Sequence, residues 1–170
     1  LMTPRDRFAT WDMVRELSQS PLIEIGSHTW ASHYGIPANP QGSREPAIAN
    51  RFFDNATGHY ETEEHFNQRI AADVRKVTDK ITQVTGKAPR AWVWPYGAAN
   101  GTSLAIAQKQ GYQLAFTLED GLANVRDLGN IPRLLIAGNP SIKTFANTVS
   151  RVQEFEPVRV MHVDLDYVYD

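Results

Sequence analysis

Apolar residues recur along the chain with two different periods. From Thr62 onward, Phe66, Ile70, Val74, Val77, Ile81 and Val84 follow one another at spacings of three and four, the repeat of one helix face. Glu63 and Glu64 fall in the first turn and Gly86 follows the last apolar position, so the pattern predicts a helix over about 62–85. A shorter stripe of Met13, Val14 and Leu17 predicts a helix over 11–19, capped by Thr10 and ended by Pro21. Leu22-Ile23-Glu24-Ile25 reads as a strand that stops at Gly26. "RAWVWPYG" reads as an aromatic strand closed by Pro-Tyr-Gly, and a helix over about 102–110 ends at Gly111. "YQLAFTL" and "IPRLLIA" are further strands, "SIKTFANTVSRVQ" a further helix, and "VRVMHVDLDYVY" a last strand. Strands alternating with helices predict an α/β fold built of parallel βα units in a sheet or barrel. Residues 34–61 stand apart. They are rich in Pro, Gly and Asn and lack a period, yet carry Phe52, Phe53, His59 and Tyr60. A loop of that length is usually functional or disordered.

Composition narrows the chemistry. At 170 residues the chain is long enough for one domain with a full core. Seventeen Lys and Arg against nineteen Asp and Glu leave a net charge of -2, without the basic stripe that nucleic-acid binding needs. There are no cysteines, so a metal site would have to use His, Asp, Glu and water. "MHVDLDYVYD" stops with no turn signal, and we therefore expect a fragment of a longer protein.

In βα architectures the working residues gather on loops after the carboxyl ends of the strands. Two candidate sites lie on such loops: Ser27-His28 through His33, and Trp94-Pro95-Tyr96-Gly97. On a helix, His28 and His33 would point about 140° apart. On a loop they can converge on one ion, or they can bond separately to backbone and solvent. Trp92 and Trp94 share one face of their strand and suit a core. Trp94, at the strand's end, could equally stack on a sugar ring. The N–H groups of the Pro-Tyr-Gly turn can face an oxyanion. In the last strand His162, Asp164 and Asp166 share a face. They could line a site or meet solvent. His59 and His65 read as surface residues.

Taken together, "IGSHTWASHYG", "VWPYG", "FTLEDGLAN" and "IPRLLIAGNPS" resemble motifs of the NodB-type polysaccharide deacetylases, carbohydrate esterase family 4. Within that family they are most similar to the subgroup acting on poly-β-1,6-N-acetyl-D-glucosamine in the bacterial periplasm. The resemblance implies a distorted (β/α) barrel lacking its first strand, a deacetylase domain over 1–157, and the first strand of a following glycosidase-like domain over 158–170. It implies that His28 and His33 bind one divalent metal (zinc, cobalt or nickel) together with an aspartate, and that a second aspartate is the general base. The backbone N–H of Tyr96 would hold the oxyanion, while Trp94, Pro95 and Tyr96 would contact the sugar. The implied partners are poly-N-acetylglucosamine and an outer-membrane export porin, with no nucleic acid. The implied full-length protein is an outer-membrane lipoprotein facing the periplasm, acting in biofilm polysaccharide export.

The chain departs from the family pattern in three places. The Asp-Asp pair expected on a first strand is missing, since Asp6 and Asp12 sit in a polar lead and a helix; this chain alone is expected to be inactive. The histidines are one residue further apart than in most of the family, a spacing that suits the poly-glucosamine subgroup. Val93 stands where the family has arginine, with Arg90 and Arg133 as substitutes. His162 loosely matches a catalytic acid, but its context reads better as the following domain. The alternatives are a carbohydrate-binding module without chemistry, favoured by the missing aspartates, and a deacetylase of chitin or peptidoglycan.

Overall fold

The computed structural model describes residues 9–151, apart from 135 and 137. The longest element is helix α2, Glu63–Thr85, preceded in the chain by α1, Trp11–Leu17. Thr62 caps α2 by accepting the His65 N–H at 3.1 Å, and Gly86 closes it with a left-handed φ of 75°. Its buried residues are Phe66, Ile70, Val74, Val77, Ile81 and Val84, the stripe seen in the sequence. Burying such side chains contributes roughly 1.5–3 kcal/mol each, which fixes the face that α2 turns inward.

That face packs on a parallel pair of strands, β5 (Ala91–Val93) and β6 (Leu114–Phe116), linked by helix α3, Gly101–Lys109. The layer extends by one bridge on each side, Ser27 beside Trp92 and Ile131 beside Phe116, both parallel. The order Ser27, β5, β6, Ile131 is the βα arrangement the alternation predicts. Among the described residues neither outer segment forms a full strand, unlike the expectation. At 22–25 no strand forms: Leu22 lies in a turn that the Ile23 N–H closes on the Ser20 carbonyl, and it is 92% exposed, with nothing among the described residues to bury it. Only Ser27 docks, donating to the Ala91 carbonyl and accepting from the Val93 N–H, each at 2.8 Å. Gly26 permits this approach: a Cβ there would lie 3.2 Å from the Ala91 oxygen.

Trp92 and Trp94 both point into the core, their rings edge-to-face at 5.8 Å, and Trp92 meets the Tyr112 ring at 5.2 Å. Residues 34–61 contain two short antiparallel hairpins. One pairs β1 (Gly35–Pro37) with β2 (Arg44–Pro46), and the other pairs β3 (Phe53–Asp54) with β4 (His59–Tyr60). Strands of two or three residues are too short to imprint a period, which is why the sequence reads as loop. Arg69 on α2 fastens this segment, donating to the carbonyls of Ala47 (2.9 Å) and Asn50 (3.1 Å) and to both oxygens of Glu61. Helix α4, Ile142–Arg151, follows the layer. Neither α1 nor α4 buries a residue among the described residues. The expected domain limit after 157 and the strand carrying His162, Asp164 and Asp166 lie outside the described residues, as does Asp6.

Candidate active site

Two loops meet beyond the carboxyl end of β5. The bridge at Ser27 aligns one with the other, and His28 follows at once. The His28 Nδ1 lies 2.8 Å from the Val93 carbonyl oxygen, an acceptor, so this nitrogen carries a proton and, in a neutral ring, Nε2 is the one with the lone pair. That is the tautomer a metal-ligating imidazole needs, oriented by a backbone carbonyl. The His33 ring comes back edge-on to His28, with centroids 4.8 Å apart and planes at 63°. Partial burial, and then the neighbouring His28, lower the His33 pKa below the ordinary 6.5. Both effects favour the neutral imidazole that binds metals.

Helix geometry would have separated these rings; the intervening turn brings them together. Thr29 adopts a left-handed φ of 71°, and the next three residues wrap the Asp73 carboxylate of α2. Asp73 accepts the N–H of Trp30 at 2.9 Å, the N–H of Ala31 at 2.8 Å and the Ser32 hydroxyl at 2.9 Å. Asp73 escaped the sequence reading as one charge among many on a helix. The signal was present nonetheless, because it lies three residues after Ile70 and four before Val77, on the buried stripe itself.

The Pro95-Tyr96-Gly97 turn completes the site. Tyr96 holds φ 56° and ψ 11°, a left-handed conformation uncommon for a residue with a side chain. Its ring lies against His33 with centroids 4.3 Å apart, and its hydroxyl donates to the His33 carbonyl at 3.3 Å. The Tyr96 N–H donates to no acceptor among the described residues, while the N–H groups of Gly97 and Ala98 close the turn on Trp94 and Pro95. A free N–H beside two imidazoles can stabilise a developing oxyanion.

Trp94 and Pro95 differ from expectation. Trp94 is 0% exposed and Pro95 is fully buried, so both support the turn from beneath and offer a ligand no surface; of the three expected sugar contacts only Tyr96, 54% exposed, faces outward. Packing against α2 and α3 claims the Trp94 ring. Arg90 is held by both oxygens of Glu24 at the start of β5, away from the turn. Arg133 donates to the Thr117 carbonyl just past β6. His59 is exposed on β4, and the exposed His65 pairs with Glu61 at 2.9 Å. Asp12 pairs with Arg15 on α1. Among the described residues no third His, Asp or Glu joins the two histidines.

The profile of the polysaccharide deacetylase family matches residues 3–115. The chain is 48% identical over 169 residues to the poly-β-1,6-N-acetyl-D-glucosamine N-deacetylase of Escherichia coli strain K12, covering 99% of this chain and 25% of that protein. It therefore spans about a quarter of the length of that curated relative. Among solved structures it is similar to a de-N-acetylase from Aggregatibacter actinomycetemcomitans, with TM-score 0.75 and 37% identity over 85% of this chain and 54% of that one. A deacetylase domain from Bordetella bronchiseptica gives TM-score 0.71 and 38% identity over 78% of this chain and 51% of that one.

Proposed function

Because the chain belongs to the polysaccharide deacetylase family, we propose that the protein it comes from removes N-acetyl groups from poly-β-1,6-N-acetyl-D-glucosamine. The observation that carries this reading is the convergence of His28 and His33 beside Tyr96, on a chain 48% identical to an enzyme named for that substrate. The family is metal-dependent, and the two imidazoles suit a divalent cation such as zinc, cobalt or nickel. When bound, such a metal lowers the pKa of a water and polarises the acetamide carbonyl. The third ligand and the general base belong to no residue of the described site.

His28, its ring fixed by Val93, and His33 would hold the ion. The Tyr96 N–H donates to the acetyl oxygen as it gains charge, and the Tyr96 ring covers one side. Hydrolysis breaks the acetyl C–N bond, the water oxygen leaves with the acetyl carbon as acetate, and the sugar nitrogen takes a proton. The polymer passes from neutral to cationic. Beside His33, residues Tyr34, Phe52, Asp54, His59 and Tyr60 line a groove of about 520 Å³. Its aromatic rings and polar edges suit successive sugar units, so the 34–61 segment borders the polymer's path. We place this activity in a (β/α) barrel over residues 1–157, followed by a second domain, on a periplasmic lipoprotein that hands its product to an outer-membrane porin.

Acetate release from poly-β-1,6-N-acetylglucosamine oligomers by the full-length protein, set beside chitin oligomers, tests the reading. His28→Ala and His33→Ala are each expected to abolish release. Shortening the 34–61 hairpins should weaken turnover of long oligomers more than short ones. Oligomer binding without acetate release would instead favour a carbohydrate-binding module.

A further inference from the structure

Each backbone amide between the two histidines is spoken for. The Thr29 N–H donates to Ser27 Oγ at 3.4 Å, the Trp30 N–H to Asp73 Oδ1, the Ala31 N–H to Asp73 Oδ2, and the Ser32 N–H to Thr29 Oγ1 at 3.2 Å. Two successive N–H groups and a hydroxyl close around one carboxylate, a nest with charge-assisted bonds. The anchor is firm, because Asp73 adjoins Val74 and follows Ile70 by one turn, and both are fully buried in the core. One turn further along α2, the Lys76 ammonium lies 4.7 Å from the centroid of the Trp30 ring. The helix thus grips the turn at two points, and Ser32, 4% exposed, is drawn under it.

We infer that Asp73 is a positioning residue for the histidine pair: its carboxylate shapes the 29–32 turn and thereby sets the separation at which His28 and His33 close on one cation. The inference rests on the metal-binding reading above. Asp73 does not cluster with the two histidines among the described residues; its oxygens face the turn, accepting from Trp30, Ala31 and Ser32. His28 has an anchor in Val93, while His33, which also meets Tyr96, takes its place relative to His28 from the residues Asp73 holds. Loss of the carboxylate should therefore release His33 and leave His28 in place.

The test is a cobalt(II) titration of the full-length protein, read by visible absorption, with NMR of the histidine rings on the metal-free protein. Outer-shell partners of metal ligands typically contribute 10–100-fold to affinity. Asp73→Asn is expected to raise the cobalt Kd by about that factor and to alter the absorption band. It should also remove the cross-peaks between the His28 and His33 rings while the His28 Nδ1–H tautomer persists, which reports a folded site. Ser32→Ala, lacking one of three donors, should move the same readouts less and in the same direction. A cobalt Kd within twofold of wild type in Asp73→Asn, with the inter-ring cross-peaks intact, overturns the inference. If Asp73→Asn loses the His28 tautomer and has unfolded, Ser32→Ala decides on the same two readouts. If the wild type takes up no cobalt, the metal reading fails separately. The cross-peaks then decide the role of Asp73: their loss in Asp73→Asn sustains it, and their persistence overturns it.

Discussion

Tyr96 pairs an exposed ring with a left-handed backbone, and the two can be separated by substitution. A residue bearing a Cβ costs about 1–2 kcal/mol in that conformation, and glycine does not. Glycine instead costs about 0.5–1 kcal/mol more than alanine in chain entropy. Tyr96→Ala and Tyr96→Gly lose the same ring, the same contact with His33 and the same hydroxyl bond at 3.3 Å. Their difference therefore isolates the backbone. Taking about 1.5 against about 0.75 kcal/mol, Tyr96→Gly should be the more stable by about 0.75 kcal/mol. At an ordinary helical or extended position the order would be the reverse. The assay is urea unfolding followed by the fluorescence of the four tryptophans, two of which lie directly under this turn. With a common slope, the midpoints should differ by roughly 0.3–0.7 M in urea, and the thermal midpoints by about 2 °C. Tyr96→Phe, which removes only the long hydroxyl bond, serves as the control for the ring. If Tyr96→Ala equals or exceeds Tyr96→Gly in stability, the turn is not strained at this residue and the reasoning fails.

Two further outcomes follow from packing and charge. Gly97→Ala puts a Cβ 2.7 Å from Leu118 Cβ and 2.9 Å from the Leu118 backbone nitrogen, at a φ of +72°. It should destabilise by about 2–4 kcal/mol in denaturant unfolding, and a loss under 1 kcal/mol, about one typical hydrogen bond, would contradict the close approach. Arg69→Met strands the Glu61 carboxylate, whose side chain is 3% exposed, and should cost about 3 kcal/mol. Burial by itself would raise the Glu61 carboxyl. The hydrogen bonds from Arg69 and the Phe52 N–H, with the Arg69 and His65 charges, outweigh it and hold the group below the ordinary 4.5. The native state therefore binds this proton less readily than the unfolded chain. Its contribution is full above about 4.5 and is lost as pH falls through the lower native value. Glu61→Gln should flatten that acid limb in a series of unfolding curves against pH.

The site was legible in the sequence where its signal is local. The α2 stripe from Phe66 to Val84 appears complete because helix periodicity is a property of neighbours in the chain. The Pro-Tyr-Gly turn could be located because Pro and Gly restrict or free the backbone in place. The histidine pair could be seen but not judged, since five-residue spacing is compatible with convergence or divergence. Trp94 could be placed on the same face as Trp92, yet alternation along a strand does not say which face meets solvent. The short hairpins at 35–60 left no trace, because two or three residues carry no period and the segment is fastened by Arg69 from another element.

By itself, then, the sequence determined helices α1, α2 and α3, the strands β5 and β6 between and after them, and the residue types available for chemistry. Tertiary structure decided which of them meet. His28 takes its orientation from Val93, 65 residues away, His33 meets Tyr96, 63 residues away, and the turn between the histidines folds on Asp73, more than 40 residues away. Contacts of that span arise only when α2 and β5 pack together, and no window of the chain short enough to show a period contains both partners.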